Sequence, residues 1–432
     1  MGSIGMSDFD PNGASFRPAA KQEPVFRGKR IAVCMDGTWQ RLRTRHPTNI
    51  AKIARAVEHE DDAGCKQIVV YARGVGAASD LHDSPDGALA GGLFGAGLEN
   101  DILDTYVRLC LNYQWGDAIY LFGYSRGAFS VRSLAGLIRR CGIVRRRYVD
   151  RAPEAFDLYR KKRREPSHPD FLAFRAATNK RPEGCAPGEA PAPIPISYIG
   201  IFDTVGQRGL PSGLGPLTDL FNRRFEFHST ELGDNIAAAR HAVAIDERRF
   251  AFPPTLWTNL EMLNRPFVEL GVPTDQLPYQ QRWFPGSHGD VGGGAPNARL
   301  PDIPLAWISE GAMQAGLSID VSEGTPLGAA ARAELLDPTA PFAQKKTWGL
   351  RTRKLPLARR AAPDQAVALL HQAAAERAIR LGARYRPPTL RSLRVPLRQL
   401  RAACAMSALL LAAASRTGQP ADAGAALAPL EA

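Results

Sequence analysis

"YLFGYSRGAFSVRSLAGLI", residues 120–138, runs from an apolar stretch through a serine between two glycines into a segment with helical spacing. Gly123-x-Ser125-x-Gly127 is the spacing of a nucleophile elbow, a sharp strand-to-helix turn that pushes a serine hydroxyl out beyond the edge of a sheet. The glycines have a steric reason, because a Cβ at either place would collide with the neighbouring strand or helix. The Arg126 amide, opening the helix, then faces a carbonyl under attack and serves as one oxyanion donor, strengthened by the helix N-terminus. A plain serine N-cap accounts for Ser125 but leaves both glycines without a reason.

Outward from this turn, the chain alternates strands and helices. Buried strands are predicted at 29–40 (ending at Asp36-Gly37-Thr38) and 66–76, and further strands at 117–125, 196–206 and in the first part of 281–294, which ends in a Gly-rich turn. Helices are predicted at 49–59, 98–114, 126–142, 232–249 and 300–316, with Ile102, Tyr106, Leu109 and Tyr113 sharing one face of the second. Residues 77–96 read as a Gly-rich mobile loop. This alternation predicts an α/β fold, a mostly parallel sheet with helices on both faces plus helical or irregular insertions. The predicted organisation is a flexible leader at 1–28, a catalytic domain at 29–320 with a basic insertion at 143–193, and a basic, partly helical C-terminal region at 321–432.

In such a sheet the carboxyl ends of the strands share one edge, where ligands bind. Asp36-Gly37-Thr38, Arg73-Gly74, Ser125, Asp203-Thr204 and His288-Gly289-Asp290 all fall there. A serine nucleophile needs a base, and the base needs an orienting carboxylate; the chain order for an elbow is Ser, then Asp or Glu, then His. Ser125, Asp203 and His288 supply that order. His241 competes as base, although its place in a predicted helix reads more plainly as packing. Asp36, Asp246 and Asp290 compete as acid. Asp36 precedes the serine and is suited to bracing the loop whose Gly37 and Thr38 amides are candidates for the second oxyanion donor. Asp290 orients the histidine loop or is structural.

Taken together, "CMDGTW", "GYSRGAFSVRSLAGLI", "FDTVG", "HAVAIDERR" and "PGSHGDVGGG" resemble the DUF2235 family of α/β-hydrolase-like proteins, which includes the Tle1-like catalytic domain of bacterial type VI secretion phospholipase effectors. The ordered matches spread over about 30–320. The resemblance implies hydrolysis of phospholipid acyl esters by Ser125 as nucleophile, His288 as base and Asp203 as acid, with no metal and no cofactor. It implies a lipid or ester substrate and a secretion-machinery partner.

Composition bounds these readings. The chain has 432 residues, 55 Lys plus Arg against 43 Asp plus Glu, and a formal charge of +12. The basic stretches at 139–164 and 345–401 suit transient contact with an anionic membrane surface, or a solvated arginine-rich face. They carry no recognised nucleic-acid motif, so no nucleic-acid partner is expected. Cysteines 34, 65, 110, 141, 185 and 404 are scattered without metal-ligand spacing and read as small buried hydrophobes of a reducing compartment. No secretory signal is visible at the N-terminus, so synthesis in the cytoplasm is expected, with export by a signal-independent route or peripheral membrane attachment. "AACAMSALLLAAAS" (402–415) is short for a membrane span and reads as a packing helix. Two other functions compete: a non-catalytic hydrolase-like module binding a membrane surface or partner, and a metal-dependent phosphoesterase with Asp36, Asp203, His288 and Asp290 as ligands.

Overall fold

The computed structural model describes residues 28–391 apart from 38–39, 41, 43, 75–90, 162–164, 181–190, 206–229, 250–251, 297–298, 333–335, 343–352, 354–368 and 386. The expectations for the leader to residue 27, for 77–90, for Thr38, Cys185 and Cys404, and for the 402–415 helix lie outside the described residues.

Six strands form one sheet: β1 (Arg30–Met35), β2 (Gln67–Ala72), β3 (Ala118–Tyr124), β4 (Tyr198–Phe202), β5 (Ala239–Ala244) and β6 (Tyr279–Phe284). Their order is β2-β1-β3-β4-β5-β6, and every neighbouring pair is parallel. The α/β architecture is as expected. Helices α1 (Asn49–Ala56), α2 (Gly91–Asn112), α3 (Arg126–Cys141), α4 (Ala152–Lys161) and α5 (Pro169–Thr178) precede β4. After β5 come α6 (Leu260–Glu269), α7 (His288–Gly292), α8 (Arg299–Gln314), α9 (Gly328–Ala331), α10 (Gln372–Leu381) and α11 (Pro388–Arg391).

Period-2 alternation along β1 splits the interior into two cores. Ile31, Val33 and Met35 face a cluster built from α2 to α5, including Ile102, Tyr106, Leu109 and Tyr113 of the predicted α2 face. Ala32 and Cys34 face the opposite cluster, with Ile50 and Ile53 of α1 and Ile303, Leu305 and Ile308 of α8. The chain leaves β1 for one side and β3 for the other, so the strand order reverses between them. The crevice outside that switch point is where an open parallel sheet places its ligand.

Four expectations need correction. Residues 232–249 contain no helix: Ala239–Ala244 is β5, buried along its whole length. "AAARHAVA" is rich in helix formers, but a central parallel strand covered on both faces shows no period-2 alternation, and its place between β4 and β6 overrides propensity. The predicted loop at 77–96 gives way to helix from Gly91. The insertion at 143–193, read as loop-like after its basic start, holds two helices. Along the basic stretch at 139–164, Arg139 pairs with Asp234, Arg151 with Glu154 and Arg160 with Glu99. The Gly-rich turn after β6 contains the one-turn helix α7.

Beyond α8 the chain returns to the sheet. Leu370 bridges Trp283 in parallel, His371 stacks on Phe284 at 4.2 Å, and the Tyr385 hydroxyl donates to Asp246 at 2.8 Å.

Candidate active site

Ser125 joins β3 to α3 in a conformation that non-glycine residues rarely adopt, φ 57° and ψ −120°. The turn is held from several sides. Ser125 N–H donates to the Phe202 carbonyl at 3.0 Å, and the Ser125 carbonyl accepts from Phe129 at 3.3 Å. A Cβ on Gly123 would lie 2.5 Å from the Ala128 Cα, and one on Gly127 would overlap the Met35 carbonyl oxygen. Both glycines therefore permit β1, β3 and α3 to approach closely enough to impose the bend.

Asp203 follows β4, also with positive φ (38°), and its Oδ1 accepts from the Ala244 N–H at 2.9 Å. His288 opens α7. Ser287 and Asp290 form a capping box around it, with Asp290 Oδ2 accepting from the Ser287 amide at 2.9 Å and from its hydroxyl at 2.7 Å. His288 N–H donates to Glu247 at 3.1 Å, and its ring lies against those of Tyr124 and Phe252, with centroids 4.8 and 4.9 Å away. These contacts aim the imidazole at both partners. Nδ1 is 2.6 Å from Asp203 Oδ2, and Nε2 is 2.8 Å from Ser125 Oγ. Residues 85 and 163 positions from His288 thus converge on its ring.

A fourth side chain completes the cluster. Arg353 Nη1 donates to Asp203 Oδ1 at 2.6 Å, and Nη2 donates to Oδ2 at 2.9 Å. Burial alone would push the Asp203 carboxyl up; Arg353 and then His288 reverse this and hold it well below the usual carboxylate range. An ionised Asp203 is acceptor-only, so Nδ1 carries the imidazole hydrogen and Nε2 is left to accept from the serine hydroxyl.

A family model described as the type VI secretion phospholipase effector Tle1-like catalytic domain matches residues 29–311. The chain belongs to this family. Lipid hydrolysis is accordingly the activity class of its family. Uncharacterized protein YEL023C of Saccharomyces cerevisiae is 29% identical over 249 residues, 56% of this chain and 34% of the yeast protein. Among solved structures, an uncharacterized protein from Pseudomonas aeruginosa shares 17% identity at a TM-score of 0.37, over 68% of this chain and 47% of that one. The Tle1 effector bound to the VgrG spike of the type 6 secretion system shares 15% at a TM-score of 0.33, over 62% and 52%. The chain therefore spans about a third of the yeast relative and about half of each solved structure.

Around the three converging residues of this Tle1-like domain, the other expected residues divide. Asp36 is a brace: it accepts from Gly37 N–H (2.7 Å), the Thr48 hydroxyl (2.8 Å) and the Tyr71 hydroxyl (2.7 Å), while burial raises its carboxyl to about 6. That first bond corrects the expectation for Gly37. Its amide is engaged by Asp36, so it is not a free oxyanion donor, although the residue lies against Tyr124 and Ser125. Arg126 stands at the first position of α3, where its amide is oriented by the helix start. His241 is in mid-strand and not in a helix, with Nδ1 2.9 Å from Gln281 Oε1 and Nε2 accepting from the Thr204 amide at 3.3 Å. Asp246 accepts from the Gly286 amide at 2.7 Å and steadies the turn before His288.

The four carboxylate and imidazole groups that could serve as metal ligands are each tied to other partners, and no group of three or more such side chains suited to a metal ion occurs among the described residues. A guanidinium on Asp203 also repels a cation there. Two side chains that contact the site are absent from the sequence-based expectations. Glu247, 1% exposed, pairs with Arg249 and holds the His288 amide. Its signal is the acid–base run "DERR" closing an apolar stretch. Arg353 lies beyond the Tle1-like match in a basic segment with no local signal.

Proposed function

We propose that this chain hydrolyses acyl ester bonds of phospholipids through a serine acyl-enzyme. The observation that carries the reading is the single imidazole bonded at once to Ser125 Oγ (2.8 Å) and Asp203 Oδ2 (2.6 Å), on an elbow with the serine at positive φ. His288 Nε2 takes the Ser125 proton as Oγ attacks the ester carbonyl. Asp203 holds the ring tautomer and stabilises the imidazolium. Charge gathering on the carbonyl oxygen meets the Arg126 amide at the start of α3, a donor class whose loss typically costs about 10²–10³ in rate. The imidazolium then protonates the departing lysolipid alcohol, and water, deprotonated by the same nitrogen, releases the fatty acid and regenerates Ser125. The phospholipid substrate and a secretion-machinery partner rest on the family's description; the formal charge of +12 suits transient attraction to an anionic membrane.

The test is labelling by a fluorophosphonate probe in the parent protein, Ser125→Ala and His288→Ala, followed by fatty-acid release from phospholipid vesicles. Labelling of the parent alone, with matching release, is the expected result. A folded parent that neither labels nor cleaves a short-chain ester would instead favour a non-catalytic binding module.

A further inference from the structure

We infer that Arg353 is a positioning residue for the acid of the Ser125–His288–Asp203 set, supplied by chain beyond the matched catalytic domain. The inference deepens the serine-hydrolase reading above and rests on it.

The geometry is that of a clamp. Each terminal nitrogen of the guanidinium makes two bonds: Nη1 to Asp203 Oδ1 (2.6 Å) and the Ala244 carbonyl (2.8 Å), Nη2 to Asp203 Oδ2 (2.9 Å) and the Phe252 carbonyl (2.8 Å). Its planar fork thus ties the carboxylate to the end of β5 and to Phe252, whose ring lies on His288. The Arg353 side chain is 4% exposed and that of Asp203 0%, so the pair is shielded from solvent. Asp203 Oδ2 is shared between Arg353 and His288, which places the cation one atom from the hydrogen bond that sets the imidazole tautomer.

Removing the clamp has two separable consequences. The carboxylate keeps Ala244 N–H and His288 as donors but loses the contacts that fix its plane. The His288–Asp203 pair also loses a neighbouring positive charge, so it takes up a proton more readily, and the acid limb of the pH–rate profile moves to higher pH. Lysine retains the charge without the fork.

The experiment compares full-length parent, Arg353→Lys and Arg353→Met, each checked for folding by circular dichroism. The first readout needs no turnover: the low-field proton resonance of the His288 Nδ1–H, identified by its absence from His288→Ala. Arg353→Met is expected to shift or abolish it, and Arg353→Lys to retain it. Ester hydrolysis is the second readout. Arg353→Met is expected to lose about 10²-fold in kcat/KM, with the acid limb raised by about one pH unit or more. Arg353→Lys loses less and keeps its acid limb near that of the parent.

An unchanged resonance and an unchanged acid limb in folded Arg353→Met would overturn the inference. An inert parent whose resonance still depends on Arg353 would instead overturn the hydrolase reading and leave the clamp standing. Should Arg353→Met fail to fold, Arg353→Gln, which removes the charge but keeps hydrogen-bonding capacity, takes its place under the same criteria.

Discussion

The middle of β5 and the turn after β6 each bury a histidine beside the Asp203–Thr204 turn, and the two are placed for opposite purposes. His241 points from the body of a strand into packed surroundings. Gln281 and the Thr204 amide occupy its two nitrogens, Trp257 meets it edge-on, and burial followed by the charge of Arg132 lowers it to about 3. It stays neutral and fully engaged. His288 stands past the end of its strand, on a one-turn helix, between a carboxylate and a serine hydroxyl. The contrast shows that burial and residue type do not decide what a histidine meets; position relative to the carboxyl edge of the sheet does.

The largest expected effect tests the residues that meet the His288 ring. Ser125→Ala and His288→Ala should each lower kcat by about 10⁴–10⁶ in single-turnover ester hydrolysis, with little change in the melting temperature. Asp203→Asn should cost about 10⁴, because an amide in that place favours the wrong imidazole tautomer. Equal losses from His241→Gln would break the comparison.

Gly127→Ala tests the backbone side of the site. Its Cβ would overlap the Met35 carbonyl, so the elbow or β1 must shift. A destabilisation of about 1–3 kcal/mol is expected by thermal melting, with activity falling alongside the folded fraction.

His241→Gln carries the smallest expected loss, at most about tenfold in kcat/KM, and its signature is in stability. The His241 imidazole is lowered from 6.5 to about 3 in the fold, so below pH about 6.5 the unfolded chain binds a proton that the native state does not. Native stability therefore falls as pH drops through this window, and the variant removes that slope. His371, also lowered to about 3 by burial, contributes the same sign, whereas Asp36, Asp101 and Asp246, raised to about 6 by burial, contribute the opposite one, so the readout is a difference: in denaturant melts between pH 4 and 7 the variant should lose less stability than the parent as pH falls. An unaltered slope would mean that His241 is not held neutral.

Much of this architecture is legible in the amino-acid sequence. β1, β2, β3 and β4 are apolar runs leading into turns rich in Gly or Asp, α2 displays its buried face at helical spacing, and GxSxG prescribes its own backbone. Such signals are local, because a turn or an amphipathic face depends on residues within a few positions of one another. The same locality explains why 232–249 reads as helix. Alanine-rich sequence favours a helix by intrinsic propensity, whereas β5 exists because β4 and β6 flank it and both faces are covered.

By itself, then, the sequence determined the elbow at Ser125, the order of serine, acid and histidine, and the α/β class, each by backbone sterics or short-range periodicity. Three things were decided only by the tertiary structure. His288 and not His241 received the serine; Asp36 took the Gly37 amide; and Arg353, 150 residues from Asp203 along the chain, came to hold its carboxylate. A cation has no sequence-local requirement to stand near the charge it neutralises. Burial of Asp203 at the sheet edge creates that requirement, and only the path of the folded chain satisfies it.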